Sequence, residues 1–130
     1  MKYAVIERMN VLLVDDDPSV RQSLERALKL ENFHVLPAAN RQEALSSFGS
    51  NRIDVVLLDL NLGREDGLET LRHLKKMEPL LPVIIMTAHL DRADSLSADD
   101  IRTVLEKPLD MPLLFGKLSE AASESGQRRK

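Results

Sequence analysis

Three short runs in this chain are apolar almost throughout: Val11-Leu12-Leu13-Val14, Ile53-Asp54-Val55-Val56-Leu57-Leu58 and Val83-Ile84-Ile85-Met86. A strand with one wet face alternates apolar and polar residues. A continuous run signals cover on both faces, as in a parallel sheet packed between helices. Two weaker runs, Phe33-His34-Val35-Leu36 and Thr103-Val104-Leu105, add a second and a fifth strand.

The intervening stretches have helical spacing. Asp17 caps a first helix with Pro18 in its first position, and Val20, Leu24, Ala27 and Leu28 share its face. Asn40 and Glu43 form a capping box ahead of Ala44, Leu45 and Phe48, and Gly49-Ser50 ends that helix. Leu68, Leu71 and Leu74 make a stripe that stops before Pro79. Asp110 caps the last helix, whose buried face is Leu114, Leu118 and Ala121. Residues 90–100 are weaker: Leu90, Ala93 and Leu96 recur every third position among several acids, which supports at most a short helix. Five strand–helix units predict an α/β fold, a parallel sheet with helices on both faces and right-handed crossovers.

Composition narrows the chemistry. The 130 residues fit one domain, and the absence of cysteine excludes disulfides, thiolate metal sites and cysteine nucleophiles. The net charge is −3, and Arg128-Arg129-Lys130 concentrates base at the end, leaving a more acidic body. That balance argues against direct nucleic-acid binding, which needs clustered Lys and Arg. No run reaches membrane-spanning length, residues 1–8 lack a secretory apolar core, and the expectation is a cytoplasmic protein without a membrane partner. The chain divides into an N-terminal extension 1–9, a domain 10–122 and a polar, basic tail 123–130.

In such folds ligands gather where the strands end. Asp15, Asp16 and Asp17 follow the first run, Asp59 the third, Thr87 the fourth and Lys107-Pro108 the fifth. Carboxylates held close together repel, which raises a pKa or recruits a cation. Oxygen-only ligands favour a hard ion, magnesium or manganese rather than zinc. Lys107 suits a phosphoryl group as a point charge, and Thr87 can donate a hydrogen bond to one.

With Asp15-Asp16-Asp17-Pro18, Leu57-Leu58-Asp59-Leu60, Asp66-Gly67, Met86-Thr87-Ala88 and Glu106-Lys107-Pro108 in this order, the chain resembles the receiver domain of two-component response regulators. The resemblance implies a flavodoxin-like, five-stranded parallel sheet in order 2-1-3-4-5. It implies that Asp59 accepts a phosphoryl group from a histidine kinase or histidine phosphotransfer protein. It further implies that Asp15 and Asp16 hold Mg2+ (Mn2+ as a substitute) together with Asp59 and the backbone carbonyl of Asn61, Asp16 being the favoured direct ligand. Thr87 and Lys107 would contact the phosphoryl oxygens, and a downstream protein would read the switched surface. Asn61 and His89 stand where the family tunes hydrolysis. Such a domain catalyses only its own phosphorylation and dephosphorylation.

Four departures from the family pattern stand out. Gly63 replaces a usual proline four residues past the acceptor and is expected to loosen that loop. The Thr87–Lys107 spacing is short, which predicts a shortened or irregular fourth helix. Val104 replaces an aromatic switch residue, and Ser97-Ala98-Asp99-Asp100 replaces a small-residue run. These leave the phosphorylation chemistry intact and alter the output geometry. Two other functions compete. One is a degenerate receiver that only binds protein. The other is an aspartyl phosphohydrolase, disfavoured because Asn61 stands where a second acid is wanted. His34 and His73 read as surface or core histidines rather than ligands.

Overall fold

The computed structural model describes residues 8–91 and 103–128, with side chains to residue 124. The elements run β1 (Asn10–Val14), α1 (Pro18–Leu30), β2 (His34–Ala38), α2 (Arg41–Ser50), β3 (Val55–Asp59), β4 (Asn61–Leu62), β5 (Glu65–Asp66), α3 (Gly67–Met77), β6 (Val83–Thr87), β7 (Thr103–Glu106) and α4 (Met111–Arg128).

Five strands form one parallel sheet in the order β2-β1-β3-β6-β7, which is the expected 2-1-3-4-5 order once the small strands β4 and β5 are set aside. The three continuous apolar runs are its three central strands. Val11–Val14, Val55–Leu58 and Val83–Met86 are wholly buried because helices cover both faces. Alternate residues part to opposite sides. Val11, Leu13, Val55, Leu57, Ile84 and Met86 pack with Leu24 and Leu28 of α1 and Leu114 and Leu118 of α4. Leu12, Val14, Val56, Leu58, Val83 and Ile85 pack with Ala44 of α2 and Leu71 and Leu74 of α3. Each fully buried aliphatic side chain contributes about 1.5–3 kcal/mol relative to exposure.

The helix ends follow local chemistry. Asp17 accepts from the Ser19 and Val20 N–H groups with Pro18 in the first turn. The α1 C-terminus closes on Asn32 at φ 68°, with the Asn32 N–H on the Lys29 carbonyl and the Phe33 N–H on the Leu28 carbonyl. That is a left-handed cap whose next residue, Phe33, is buried beside Leu28. Asn40 accepts from the Glu43 N–H, but Glu43 reaches one residue further back than in a standard box, to the Ala39 N–H. Asp110 accepts from the Leu113 N–H.

Three boundaries differ from expectation. β2 runs past Leu36 through Pro37, because an edge strand can point a missing N–H outward. α4 continues to Arg128, so the segment expected as tail from 123 begins as helix. The third difference is β4 and β5, an antiparallel pair joined by Gly63-Arg64. Gly63 sits at φ 66°, and Arg64 is not among the positive-φ residues. Glycine at the first centre of a two-residue loop with φ > 0 is the type II′ hairpin arrangement. The residue expected to loosen this loop instead permits a tight hairpin, and a proline, fixed near φ −65°, could not occupy it. The predicted irregular fourth helix, and Ser97-Ala98-Asp99-Asp100 with it, lies outside the described residues beyond Leu90 and Asp91.

Candidate functional site

The carboxyl ends of β1, β3, β6 and β7 meet at one edge of the sheet. Asp15 follows β1 and is fully buried; Asp59 ends β3 and is 5% exposed; Asp16 faces solvent. One oxygen from each of the three carboxylates lies within 4.8 Å of the others. Lys107, following β7, reaches across the edge, with Nζ 2.7 Å from Asp59 Oδ2 and 3.4 Å from Asp15 Oδ2.

Each acid is held by backbone. The Asp15 N–H donates to the Ala38 carbonyl, which fixes the residue as an extension of β1. Its Oδ1 accepts the Asp17 N–H at 3.0 Å, and its carbonyl accepts from Arg21 Nη1 at 2.8 Å. Asp59 Oδ1 accepts the Asn61 N–H at 2.9 Å while Oδ2 takes the lysine, so both oxygens are oriented. The Lys107 N–H donates to the Thr87 carbonyl at 2.8 Å, which ties the lysine to the end of β6; its peptide bond to Pro108 is cis.

Burial pushes the Asp15 carboxyl above its ordinary range. The Asp17 N–H and the Lys107 charge pull it back, the Asp59 charge pushes it further up, and the net is upward. Burial alone would lower the Lys107 ammonium, but its hydrogen bond to Asp59 and the charges of Asp59 and Asp15 outweigh it, so the lysine is held more firmly protonated. One ammonium faces three carboxylates, and the cluster keeps an excess of negative charge. An all-oxygen donor set of this kind fits a hard divalent cation.

The expected residues Asp15, Asp16, Asp59 and Lys107 come together. Thr87 is buried at the same edge, but its hydroxyl turns to its own loop: it donates to the His89 carbonyl and accepts the His89 N–H, each at 3.0 Å. Asn61 contributes its N–H to Asp59 and its side chain is exposed, as is that of His89. Asp17 is a helix cap, as expected. His34 and His73 are exposed and bonded to Asn10 Oδ1 and the Glu69 carbonyl, away from the site. Val104 is half-buried against the α2–α3 side of the core. Arg21 went unread in the sequence, and Gly63 was read only as a residue that loosens its loop. Arg21 buttresses Asp15, and the position of one helical turn after Asp17 was the available signal. Gly63 brings the hairpin against Asp16, with the glycine itself, between Leu62 and Arg64, as a faint turn signal.

Residues 11–119 match the response regulator receiver domain family. The chain belongs to that family. It is 38% identical over 120 residues to the DNA-binding transcriptional regulator NtrC of Salmonella typhimurium, covering 91% of this chain and 26% of that protein. It is 32% identical over 118 residues to the transcriptional regulatory protein GlrR of Escherichia coli, covering 89% of this chain and 27% of that one. The chain thus spans about a quarter of the length of these relatives. The Thermotoga maritima response regulator TrrA, solved in complex with Mg(2+)-BeF, superposes with a TM-score of 0.79 at 28% identity, covering 87% of this chain and 98% of that one. A Clostridium thermocellum receiver domain gives 0.84 at 28% identity, covering 92% and 98%. The acidic pocket of this receiver fits a phosphorylation site. Among the described residues, no helix is long and apolar enough to cross a membrane.

Proposed function

We propose that this receiver accepts a phosphoryl group on Asp59 from a phosphohistidine of a histidine kinase or histidine phosphotransfer protein, and that its work is done in the cytoplasm. The observation that carries the reading is the Asp59 carboxylate, oriented at both oxygens, with Lys107 at 2.7 Å and two further carboxylates beside it. Asp15, Asp16 and Asp59, with the Asn61 carbonyl, would hold Mg2+ or Mn2+. When bound, that ion supplies positive charge to the phosphoryl oxygens.

The protein's part is positioning and electrostatics. An Asp59 oxygen forms a bond to phosphorus as the phosphorus–nitrogen bond to the donor imidazole breaks, and the leaving imidazole takes its proton from solvent. Lys107 follows the charge from the carboxylate to the phosphoryl oxygens. An apolar groove of about 370 Å³, lined by Val20, Leu24, Leu109 and Met111, opens beside Lys107 and offers the donor a surface. The aspartyl phosphate is later hydrolysed, and Asn61 and His89, both exposed, contact the attacking water or the phosphoryl group. No other substrate is turned over.

The switch resides in Thr87. A phosphoryl group on Asp59 is a strong acceptor that competes for the hydroxyl now given to His89. Turning the hydroxyl inward releases the loop after β6 and shifts the population of the surface a downstream protein reads. Val104 leaves that shift without an aromatic partner. Any DNA contact belongs to other parts of a longer regulator.

Incubation with acetyl phosphate and Mg2+ tests the reading. Mass spectrometry is expected to find one added phosphoryl group, lost in Asp59→Asn and in the presence of a chelator. No uptake by the parent chain, with Mg2+-dependent beryllofluoride binding also absent, would leave a receiver that only binds protein.

A further inference from the structure

The hairpin after Asp59 does more than reverse the chain. A Cβ built on Gly63 would stand 2.9 Å from Asp16 Oδ2, closer than van der Waals contact allows. Gly63 also holds φ 66°, which side chains rarely adopt. Either the turn or the carboxylate would have to yield if a side chain were added.

The turn is the anchored partner. Leu62 is buried in the core beneath it. The Arg41 N–H donates to Glu65 Oε1 at 2.9 Å, Arg41 Nε donates to Thr70 Oγ1 at 3.2 Å, and Arg41 Nη2 donates to the Asp66 carbonyl at 3.4 Å. Gly67 follows directly, its Cα packed against the Leu60 backbone. Asp16, in contrast, is exposed, and its carboxylate is the far end of a rotatable side chain. An added methyl at position 63 therefore displaces the carboxylate and leaves the sheet where it is.

We infer that Gly63 is a positioning residue for the cation site: the bare, left-handed turn leaves the space in which the Asp16 carboxylate stands beside Asp15 and Asp59. This rests on the assignment of these three acids to a divalent cation. It adds that the residue opposite Asp16, four positions past the acceptor, sets the affinity for that ion. The effect is steric and local, so it acts on ion binding more than on folding.

Mn2+ binding by the full chain, followed by electron paramagnetic resonance of the free ion, separates the possibilities. Gly63→Ala tests space and backbone together. Gly63→Asn also presents a Cβ to Asp16, and asparagine accepts a positive φ with less strain than alanine does. Both are expected to weaken Mn2+ binding about tenfold or more, the range in which groups that orient a ligand act. Gly63→Asn should melt closer to the parent than Gly63→Ala does, and neither variant should weaken binding further once Asp16→Ala is present. If Gly63→Ala fails to fold, Gly63→Asn carries the test alone. Parent-like Mn2+ affinity in Gly63→Asn, or in Asp16→Ala, overturns the inference and leaves the cation site standing. A parent chain that binds no Mn2+ at millimolar concentration overturns the cation site itself.

Discussion

The sheet carries buried carboxylates at both ends, and the two ends have different fates. At the amino end, Asp54 is 2% exposed and is paired with Arg52 Nε at 3.4 Å and the Asn10 N–H at 2.7 Å. At the carboxyl end, Asp15 and Asp59 are as deeply buried, but they share one lysine and stand beside a third acid. Burial alone does not make a site. Asp54 meets its charge and hydrogen-bond needs from local partners and serves the fold. The other cluster is left with more negative charge than its partners offset, and that surplus is what a cation or a phosphoryl group can use.

The largest test of this contrast is metal addition. Mg2+ at a hundredfold excess over its dissociation constant should stabilise the parent by about 2.7 kcal/mol, since the ion binds only the folded cluster. Asp54→Ala should gain as much, and Asp15→Asn should gain little. Thermal or urea unfolding with and without Mg2+ reads this directly; equal gains in parent and Asp15→Asn would erase the distinction between the two ends.

Without metal the order of effects reverses. Asp54→Ala strands the Asn10 N–H and removes the partner of Arg52, and should cost about 1–3 kcal/mol in urea unfolding. Asp15→Asn removes a buried charge from a repelling group and should stabilise the fold by about 1 kcal/mol, the usual sense of a trade between stability and a functional site. A loss of stability in Asp15→Asn would mean that the cluster is balanced after all.

Much of the site's placement was legible because sheet geometry does the work. Once Val11–Val14, Ile53–Leu58 and Val83–Met86 read as strands buried on both faces, the residues following them had to converge. The edge strands were read less well. The second run was read only as far as Leu36, whereas β2 continues through Pro37, which an edge position tolerates. The hairpin escaped because two-residue strands have no periodicity, and because a glycine in place of a proline suggests freedom until its φ and its neighbour Asp16 are known. The Thr87 hydroxyl was assigned by its position at a strand end. Its actual partner, the His89 backbone, depends on loop conformation, which strand periodicity does not encode.

The smallest effect is the pH dependence, and it probes the carboxyl end most directly. The Asp15 carboxyl is raised above its ordinary value of 3.8, chiefly by burial. A raised carboxyl binds its proton more tightly folded than unfolded, so its contribution is fully present below 3.8 and is lost as the pH climbs through the raised value. Within that window the folded state holds more protons, and this group makes stability fall as pH rises. Lys107 acts at the other extreme: raised above 10.5, it supports the fold at lower pH and that support is lost only as the ammonium deprotonates in alkali. Metal-free unfolding of parent and Asp15→Asn from about pH 3.5 to about pH 7.5 should therefore show a gap that opens with rising pH and then levels, Asp15→Asn being the more stable at neutrality. A gap that stays constant across the range would mean that the Asp15 charge is fully compensated by Lys107 and the Asp17 N–H. The carboxyl end would then resemble Asp54, with no surplus left to draw an ion.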